Sequence, residues 1–185
     1  MVKNTKMENT FTHLPLSKQS KIIILLSLII TVLAVIVLWN NYNALPNTVA
    51  IHYGLNGQPN AYGPKAALLI PTTLLILITF LFILILRFRY TLIEKYPYLI
   101  NLPSFVYKIG FEKNKKVKSE LINKVFTVYT LSILYISILN LLITFSISTS
   151  NASLLLPSLF VIIIIFVVSV LALYRNIYKA ISNKK

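Results

Sequence analysis

Four long apolar runs, separated by shorter polar segments, dominate the pattern of side chains along the sequence. They occupy residues 22–39, 66–86, 125–147 and 152–174, and none contains Asp, Glu, Lys, Arg or His. Each run reaches the roughly 18 to 20 residues that a helix needs to cross a bilayer core. Because soluble helices are seldom apolar on every side over such a length, the pattern predicts an all-α integral membrane protein, a four-helix transmembrane bundle.

The segment between the first two runs, residues 40–65, has a different pattern. Residues 49–53 alternate between larger apolar side chains and smaller or polar ones, which predicts a short strand. The Asn-Gly pair at 56–57 favours a turn, and Pro64 suits the first position of the second helix. We therefore expect an ordered loop that folds onto the outer ends of the helices.

Polar side chains within the third run fall on one helical face, because they recur at spacings of three, four and seven residues. In lipid such a stripe should face other helices and hold them together, with Asn140 able to bond across the interface. A polar path for a neutral solute is the alternative. Ion-coupled transport is disfavoured, because no run contains an ionisable group. The stripe consists of Thr127, Thr130, Ser137, Asn140, Thr144 and Ser148, and weaker strips contain Ser27, Thr31, Ala34, Thr72 and Thr79.

Composition and charge agree with a membrane protein and orient it. Charged residues make up 12% of the chain, against about a quarter in soluble domains. All 18 Lys and Arg residues except Lys65 flank the runs on one side, so the positive-inside rule predicts cytoplasmic N and C termini in the plasma membrane of a prokaryotic cell. The net charge of +14 then suits anionic lipid headgroups at the cytoplasmic face, and no nucleic-acid partner is expected.

The basic inner loop, residues 87–124, has two predicted parts. An aromatic stretch from Tyr90 to Tyr107 suits the headgroup layer, and two prolines interrupt any helix there. Residues 111–124 are polar and predict a helix that continues into the third run. We interpret the loop as a connector lying on the lipid surface; the alternative is a docking site for a cytoplasmic partner.

The inventory of reactive side chains argues against catalysis. The chain has no cysteine, and its four acids all lie in the predicted cytoplasmic segments. We therefore expect no enzyme, no catalytic or metal site and no cofactor. His52 in the outer loop has no nearby acid, so we expect it to bond a loop carbonyl or Asn60 and fix the loop. Sensing of external pH is the alternative, since an unperturbed His has a pKa of about 6.5.

The outer loop also resembles a known block of sequence. The residues that carry the resemblance are Leu45-Pro46, Ile51-His52, Gly57-Gln58-Pro59-Asn60 and Gly63-Pro64-Lys65, set between two membrane helices. They resemble the conserved block of the SdpI-like membrane family, whose core is a domain of unknown function of the 1648 type. His52, Gly57, Gly63 and Lys65 match the family pattern, whereas Ala50 replaces its usual proline and Asn60 its usual acid. Residues 96–103 resemble a second, looser signature.

The resemblance spans about residues 22–148 and implies a multi-pass membrane protein. The family's namesake is an immunity protein against a secreted peptide toxin, so the resemblance implies an immunity-like or receptor-like role. In that role the outer loop would recognise an external peptide or envelope component, with His52, Gly57, Asn60, Gly63 and Lys65 as ligand-binding or loop-ordering residues. An auxiliary subunit of a larger membrane complex is the alternative. The predicted segments are a cytoplasmic segment 1–21, a membrane domain 22–148, an outer turn with the fourth span 149–175, and a basic tail 176–185.

Overall fold

The computed structural model of the protein describes residues 11–54, 58–96, 114–149 and 155–182. The described chain is mainly helical, with four helices long and apolar enough to cross a membrane, as the apolar runs predict. In order, the elements are α1 Lys18–Tyr42, β1 Thr48–Tyr53, β2 Pro59–Pro64, a 3₁₀ turn Lys65–Leu68, α2 Leu69–Arg87, α3 Arg89–Lys95, α4 Lys115–Thr149 and α5 Leu155–Ser182.

The helices extend beyond the apolar runs because polar residues cap or continue them. Ser17 caps α1, its hydroxyl accepting a hydrogen bond from the Ser20 backbone N–H at 3.0 Å. At the start of α4, the Asn114 side chain accepts from the N–H of Lys116 at 3.0 Å. The predicted polar helix before the third span is therefore confirmed from Lys115 onward. Its earlier residues and most of the aromatic stretch, residues 97–113, lie outside the described residues.

The entry of the second span differs by one position from the prediction. Pro64 is the last residue of β2 and precedes the helix, with extended backbone angles, so it is not the first helical residue. Lys65 begins a 3₁₀ turn that leads into α2. The reason is the pairing of β2, since Pro64 is still opposite Thr48 in the sheet.

The long helix α4 is the centre of the bundle, and the other three spans pack mainly against it. The side chains that make this packing possible are small, and all but one are polar: Ser27, Thr31 and Ala34 on α1 are buried, as are Thr72 and Thr79 on α2. Most of the large apolar side chains of α1, α2 and α5 are exposed on the protein surface, which suits helices surrounded by lipid.

The apolar core lies near the end of the bundle where α1 begins, which we call the strap end. Here Leu86 from α2, Ile93 from α3 and Phe126 from α4 pack together. Tyr90 belongs to this core and is 5% exposed. Its side chain therefore packs inside the protein, with the hydroxyl 3.1 Å from the Asn123 side-chain oxygen of α4, rather than facing the headgroups.

At the opposite end, which we call the hairpin end, β1 and β2 form an antiparallel two-stranded sheet. The alternation in residues 49–53 predicts β1, and the structure confirms it. The partner strand β2 was not predicted, because its sequence contains two prolines and a glycine, which are unusual in strands. The pairing register shifts between Ala50 and His52 and again between His52 and Tyr53.

Candidate functional site

Lys65 connects the hairpin formed by β1 and β2 to the end of α1. Its backbone N–H donates to the Asn47 carbonyl at 2.9 Å, which closes the base of the hairpin. Its ammonium group donates to the carbonyls of Tyr42 and Leu45 at 3.5 and 3.4 Å and lies 5.0 Å from the centre of the Tyr42 ring. The carbonyls at the end of a helix attract a cation. Lys65 therefore fixes the hairpin to the end of α1.

Gly63 allows close contact between the two strands of the hairpin. A β-carbon at this position would lie 2.8 Å from Cδ1 of Ile51, closer than side chains normally approach. The glycine thus provides space for the Ile51 side chain rather than an unusual backbone conformation. Gly57, which the sequence grouped with it, lies outside the described residues.

His52 and Asn60 contact each other across the sheet through Nδ1 of the ring and the side-chain oxygen Oδ1. Asn60 is one of the two partners that the sequence suggested for His52, the other being a loop carbonyl, and both side chains are exposed. Within the described ranges, no three His, Cys, Asp or Glu side chains lie together as a metal site would require. The pair is positioned to order the hairpin and to present two hydrogen-bonding groups to the solvent.

A pocket of about 250 Å³ lies beneath the hairpin. Tyr53, Pro59 and Tyr62 line its walls together with residues of the 45–50 segment, and Leu68 lines it from the helix side. Burial raises the pKa of Tyr53 above its ordinary value, and the nearby Tyr62 adds to the rise. Tyr62 itself is 63% exposed. The pocket is therefore mostly apolar and has aromatic rings at its rim.

The polar stripe of α4 is buried. Thr130, Ser137, Asn140 and Thr144 are each at most 1% exposed. Ser137 accepts a hydrogen bond from the Thr31 hydroxyl of α1 at 3.0 Å, so at this point the stripe joins two helices. The Asn140 side chain, in contrast, has no hydrogen-bond partner among the described residues. The side chain of Ser148 lies outside them.

Residues 11–17, which we call the strap, dock against α3 and α4, an arrangement that the sequence did not predict. The Thr12 N–H donates to the Ser119 hydroxyl at 2.9 Å, and the Asn123 amide donates to the Pro15 carbonyl at 3.1 Å. Phe11 is buried in the core, and the His13 ring stacks on Tyr90 with centroids 5.0 Å apart. The signal available in the sequence was the group of apolar residues Phe11, Leu14 and Leu16 within the predicted cytoplasmic segment.

Arg89 is the centre of this docked region and is 5% exposed. Its guanidinium donates to the Asn123 side chain at 2.7 Å, to the Leu86 carbonyl at 2.8 Å and to the Leu14 carbonyl. Burial lowers the pKa of Arg89 from its ordinary value, and the adjacent Tyr90 partly opposes that change. Burial also raises the pKa of Tyr90, whose hydroxyl lies 3.1 Å from the Asn123 oxygen. Arg89 thus joins the strap, α2 and α4.

Comparison with known proteins places the hairpin in a recognised domain. Residues 22–76, which comprise most of α1, the hairpin and the start of α2, match the domain of unknown function DUF1648. An uncharacterized protein of Archaeoglobus fulgidus is 34% identical over 159 residues, covering 84% of this chain and 84% of the relative. No solved structure matches the chain. The chain therefore belongs to the same family as this archaeal protein, and it is a multi-pass membrane protein with a DUF1648 domain.

Proposed function

We propose that the protein is a receptor-like or immunity-like membrane protein of the SdpI-like type, whose hairpin recognises an extracytoplasmic peptide or envelope component. The observation that carries the proposal is the anchoring of the hairpin through Lys65, because a surface that is ordered before binding loses little entropy when it binds. The orientation follows from the basic residues, which favour the strap end as cytoplasmic.

The hairpin offers two kinds of contact to an extended peptide. Within the described residues its sheet has two strands, so each strand has an outer edge to which a third strand could be added. Beside them, Tyr62 and the pocket beneath it provide an aromatic and apolar surface of the kind that dominates binding energy. His52 and Asn60 add polar specificity.

The test combines deletion of the gene with challenge by membrane-active peptides. We expect the deletion strain to lose survival against at least one peptide, and expression of the wild-type protein to restore it. Tyr62→Ala should fail to restore survival, whereas Asn43→Ala is a matched control, because Asn43 is also exposed at the hairpin end but lies outside the hairpin. Equal survival of both strains across a broad panel would contradict the proposal.

A second candidate is an auxiliary subunit of a larger membrane complex. It is favoured by a cleft of about 240 Å³ between α1 and α2, which is lined by apolar residues such as Val32, Val35 and Phe80. Copurification in mild detergent separates the two candidates. A stoichiometric partner that is retained after Ala substitution of His52, Asn60 and Lys65 would favour the subunit.

The basic residues at the strap end would bind anionic lipid headgroups in either role. Lys18, Lys21 and Lys124 lie near the predicted membrane boundary and are exposed. Flotation with vesicles does not distinguish headgroup binding by these lysines from insertion of the spans into the bilayer. The measurement is therefore the amount of anionic lipid that remains bound after purification in detergent. Substitution of the three lysines by glutamine should lower it.

A further inference from the structure

Two buried polar groups in the membrane spans lack hydrogen-bond partners among the described residues: the Asn140 carboxamide, through both of its polar atoms, and the Thr72 hydroxyl. Asn140 is 1% exposed and Thr72 is 4% exposed. Other buried hydroxyls in the spans bond a carbonyl of their own helix, as Thr79 does to Leu75 at 2.9 Å. An unsatisfied buried polar group costs about 1 to 3 kcal/mol, so two such groups together call for an explanation.

The register of α2 against α4 places these two groups at the same depth. The helices are antiparallel: Phe82 of α2 contacts Tyr129 with ring centroids 5.6 Å apart, while Tyr90, just beyond the end of α2, contacts Asn123, which precedes Tyr129 in α4. Thr72 lies ten residues before Phe82, and Asn140 lies eleven residues after Tyr129. At about 1.5 Å per residue, both lie about 15 to 17 Å from that ring contact, toward the hairpin end.

The two groups also lie on the facing sides of their helices. Eleven residues make about three full helical turns, so Asn140 projects from the same side of α4 as Tyr129, the side that faces α2. Thr72 lies seven residues from Thr79 and fourteen from Leu86, and all three are buried on one stripe of α2. The Asn140 carboxamide and the Thr72 hydroxyl therefore belong to one interface.

The pocket beneath the hairpin reaches to within one helical turn of this interface. Leu68, which is 7% exposed, lines that pocket and precedes Thr72 by four residues. Four residues correspond to about one turn, so Leu68 lies directly above Thr72 on the side of the hairpin. Leu68 thus stands between the pocket and Thr72 along the helix.

We propose that Asn140 and Thr72 form an intramembrane binding site for a small uncharged molecule that both donates and accepts hydrogen bonds, and that the molecule enters from the hairpin pocket past Leu68. A carboxamide and a hydroxyl together offer donors and acceptors, which water, an alcohol or a primary amide satisfies. Ions are excluded, because the four apolar runs contain no charged residue to offset the desolvation of an ion.

The test uses the full chain in lipid nanodiscs, with asparagine labelled by ¹⁵N so that the side-chain NH₂ signals are visible. The Asn140 signal is identified by its loss in Asn140→Leu. Magnetisation transfer from water to this signal indicates bound water, whereas a shift of the signal on titration with acetamide indicates that the site binds a primary amide. We expect one or both of these responses. Acetate, which has the same shape but carries a charge, should cause no shift.

Two conservative variants separate binding from a structural effect. Thr72→Val keeps the shape but removes the hydroxyl, so it should weaken the response of Asn140 to acetamide or water severalfold. Thr79→Val is the matched control, because Thr79 is equally buried in α2 but its hydroxyl already bonds Leu75. Retained dispersion of the other asparagine signals shows that each variant is folded.

The proposal is overturned if the Asn140 signal responds to neither water nor acetamide, or if Thr72→Val and Thr79→Val respond alike. Leu68→Ala should speed entry of acetamide without changing the position of the bound signal. None of these measurements depends on peptide recognition by the hairpin, so the two proposals succeed or fail separately.

Discussion

Arg89 acquires its role from its neighbours rather than from its place in a basic loop. Its charge is satisfied within the described residues by two carbonyls and one amide oxygen, from three different parts of the chain. Because the guanidinium has five donors in a fixed plane, one side chain can hold three segments together. A lysine in the same place could not match that geometry.

We expect Arg89→Ala to release the strap. Three acceptors lose their hydrogen bond to Arg89, although the Asn123 oxygen keeps the one from the Tyr90 hydroxyl, and an unsatisfied buried acceptor costs about 1 to 3 kcal/mol. If the substitution lowers the free energy of strap opening by about 2 kcal/mol, the rate of amide hydrogen exchange in residues 11–17 should rise about thirtyfold. Mass spectrometry of that peptide measures the rate. Arg87→Ala is the control, because Arg87 is exposed and should leave the rate unchanged.

Tyr53 is expected to titrate at higher pH than an exposed tyrosine, because burial raises its pKa. Ionisation is then easier in an open hairpin than in the folded one. The contribution of Tyr53 to hairpin stability is therefore complete below its ordinary pKa of about 10 and is lost as the pH rises through the raised value. The difference in ultraviolet absorbance between wild type and Tyr53→Phe gives its titration curve. A midpoint at or below the ordinary value would contradict the prediction.

The hairpin, as an element, depends on the fit between Gly63 and Ile51. The β-carbon of an alanine would press on the flexible end of Ile51, which is 46% exposed and can move aside. A valine adds two more carbons at the same point and leaves less room for that movement. The hairpin should therefore remain stable with a small residue at position 63 and be destabilised by a branched one.

We predict that Gly63→Ala destabilises the hairpin by about 1 kcal/mol or less and Gly63→Val by about 1 to 3 kcal/mol. Hydrogen exchange of residues 48–53 reports hairpin opening. Adding Ile51→Ala to Gly63→Val should restore much of the protection, since it removes the atom that clashes. Failure of this rescue would show that Gly63 is required for a different reason.

The hydrogen bond between α1 and α4 gives a prediction about the association of these two helices. Thr31 donates to Ser137 between two otherwise apolar helices, and such bonds contribute about 0.6 kcal/mol on average in membrane bundles. A double-mutant cycle with Thr31→Val and Ser137→Ala should give a coupling of about that size. The measurement is unfolding in mixed micelles, with Ser132→Ala as the control, because Ser132 bonds only its own helix in the described contacts.

At the scale of the whole molecule, the asymmetry between its two ends is the feature on which the proposed function depends. The hairpin end carries one cation, Lys65, whereas the strap end carries most of the basic residues. This distribution favours insertion with the strap inside the cell. The hairpin would then face the compartment from which a peptide toxin or envelope component arrives.

Because the chain has no cysteine, single-cysteine labelling can test this orientation directly. We expect a membrane-impermeant maleimide to label Asn47→Cys in intact cells and to label Lys116→Cys only after permeabilisation. Both residues are exposed in the structure, so accessibility within the protein does not bias the result. The reverse pattern would contradict the orientation and, with it, the external recognition surface.

The sequence by itself determined the features that depend on local periodicity and solvent. Hydrocarbon-length runs without charge require helices in a bilayer, and the alternation before Tyr53 specifies β1. The sequence also suggested Asn60 as a partner of His52, beside a loop carbonyl, and in the structure the ring contacts Asn60.

Only the tertiary structure decided which polar groups meet and which remain unpaired. The stripe of α4 was visible as a periodicity, but the pairing of Ser137 with Thr31 and the isolation of Asn140 depend on the depth at which each helix docks. The pairing of β2 and the burial of Tyr90 and Arg89 likewise arise from contacts between distant parts of the chain. Such contacts leave little trace in local sequence, because lipid accepts any apolar surface and the few polar groups fix the register.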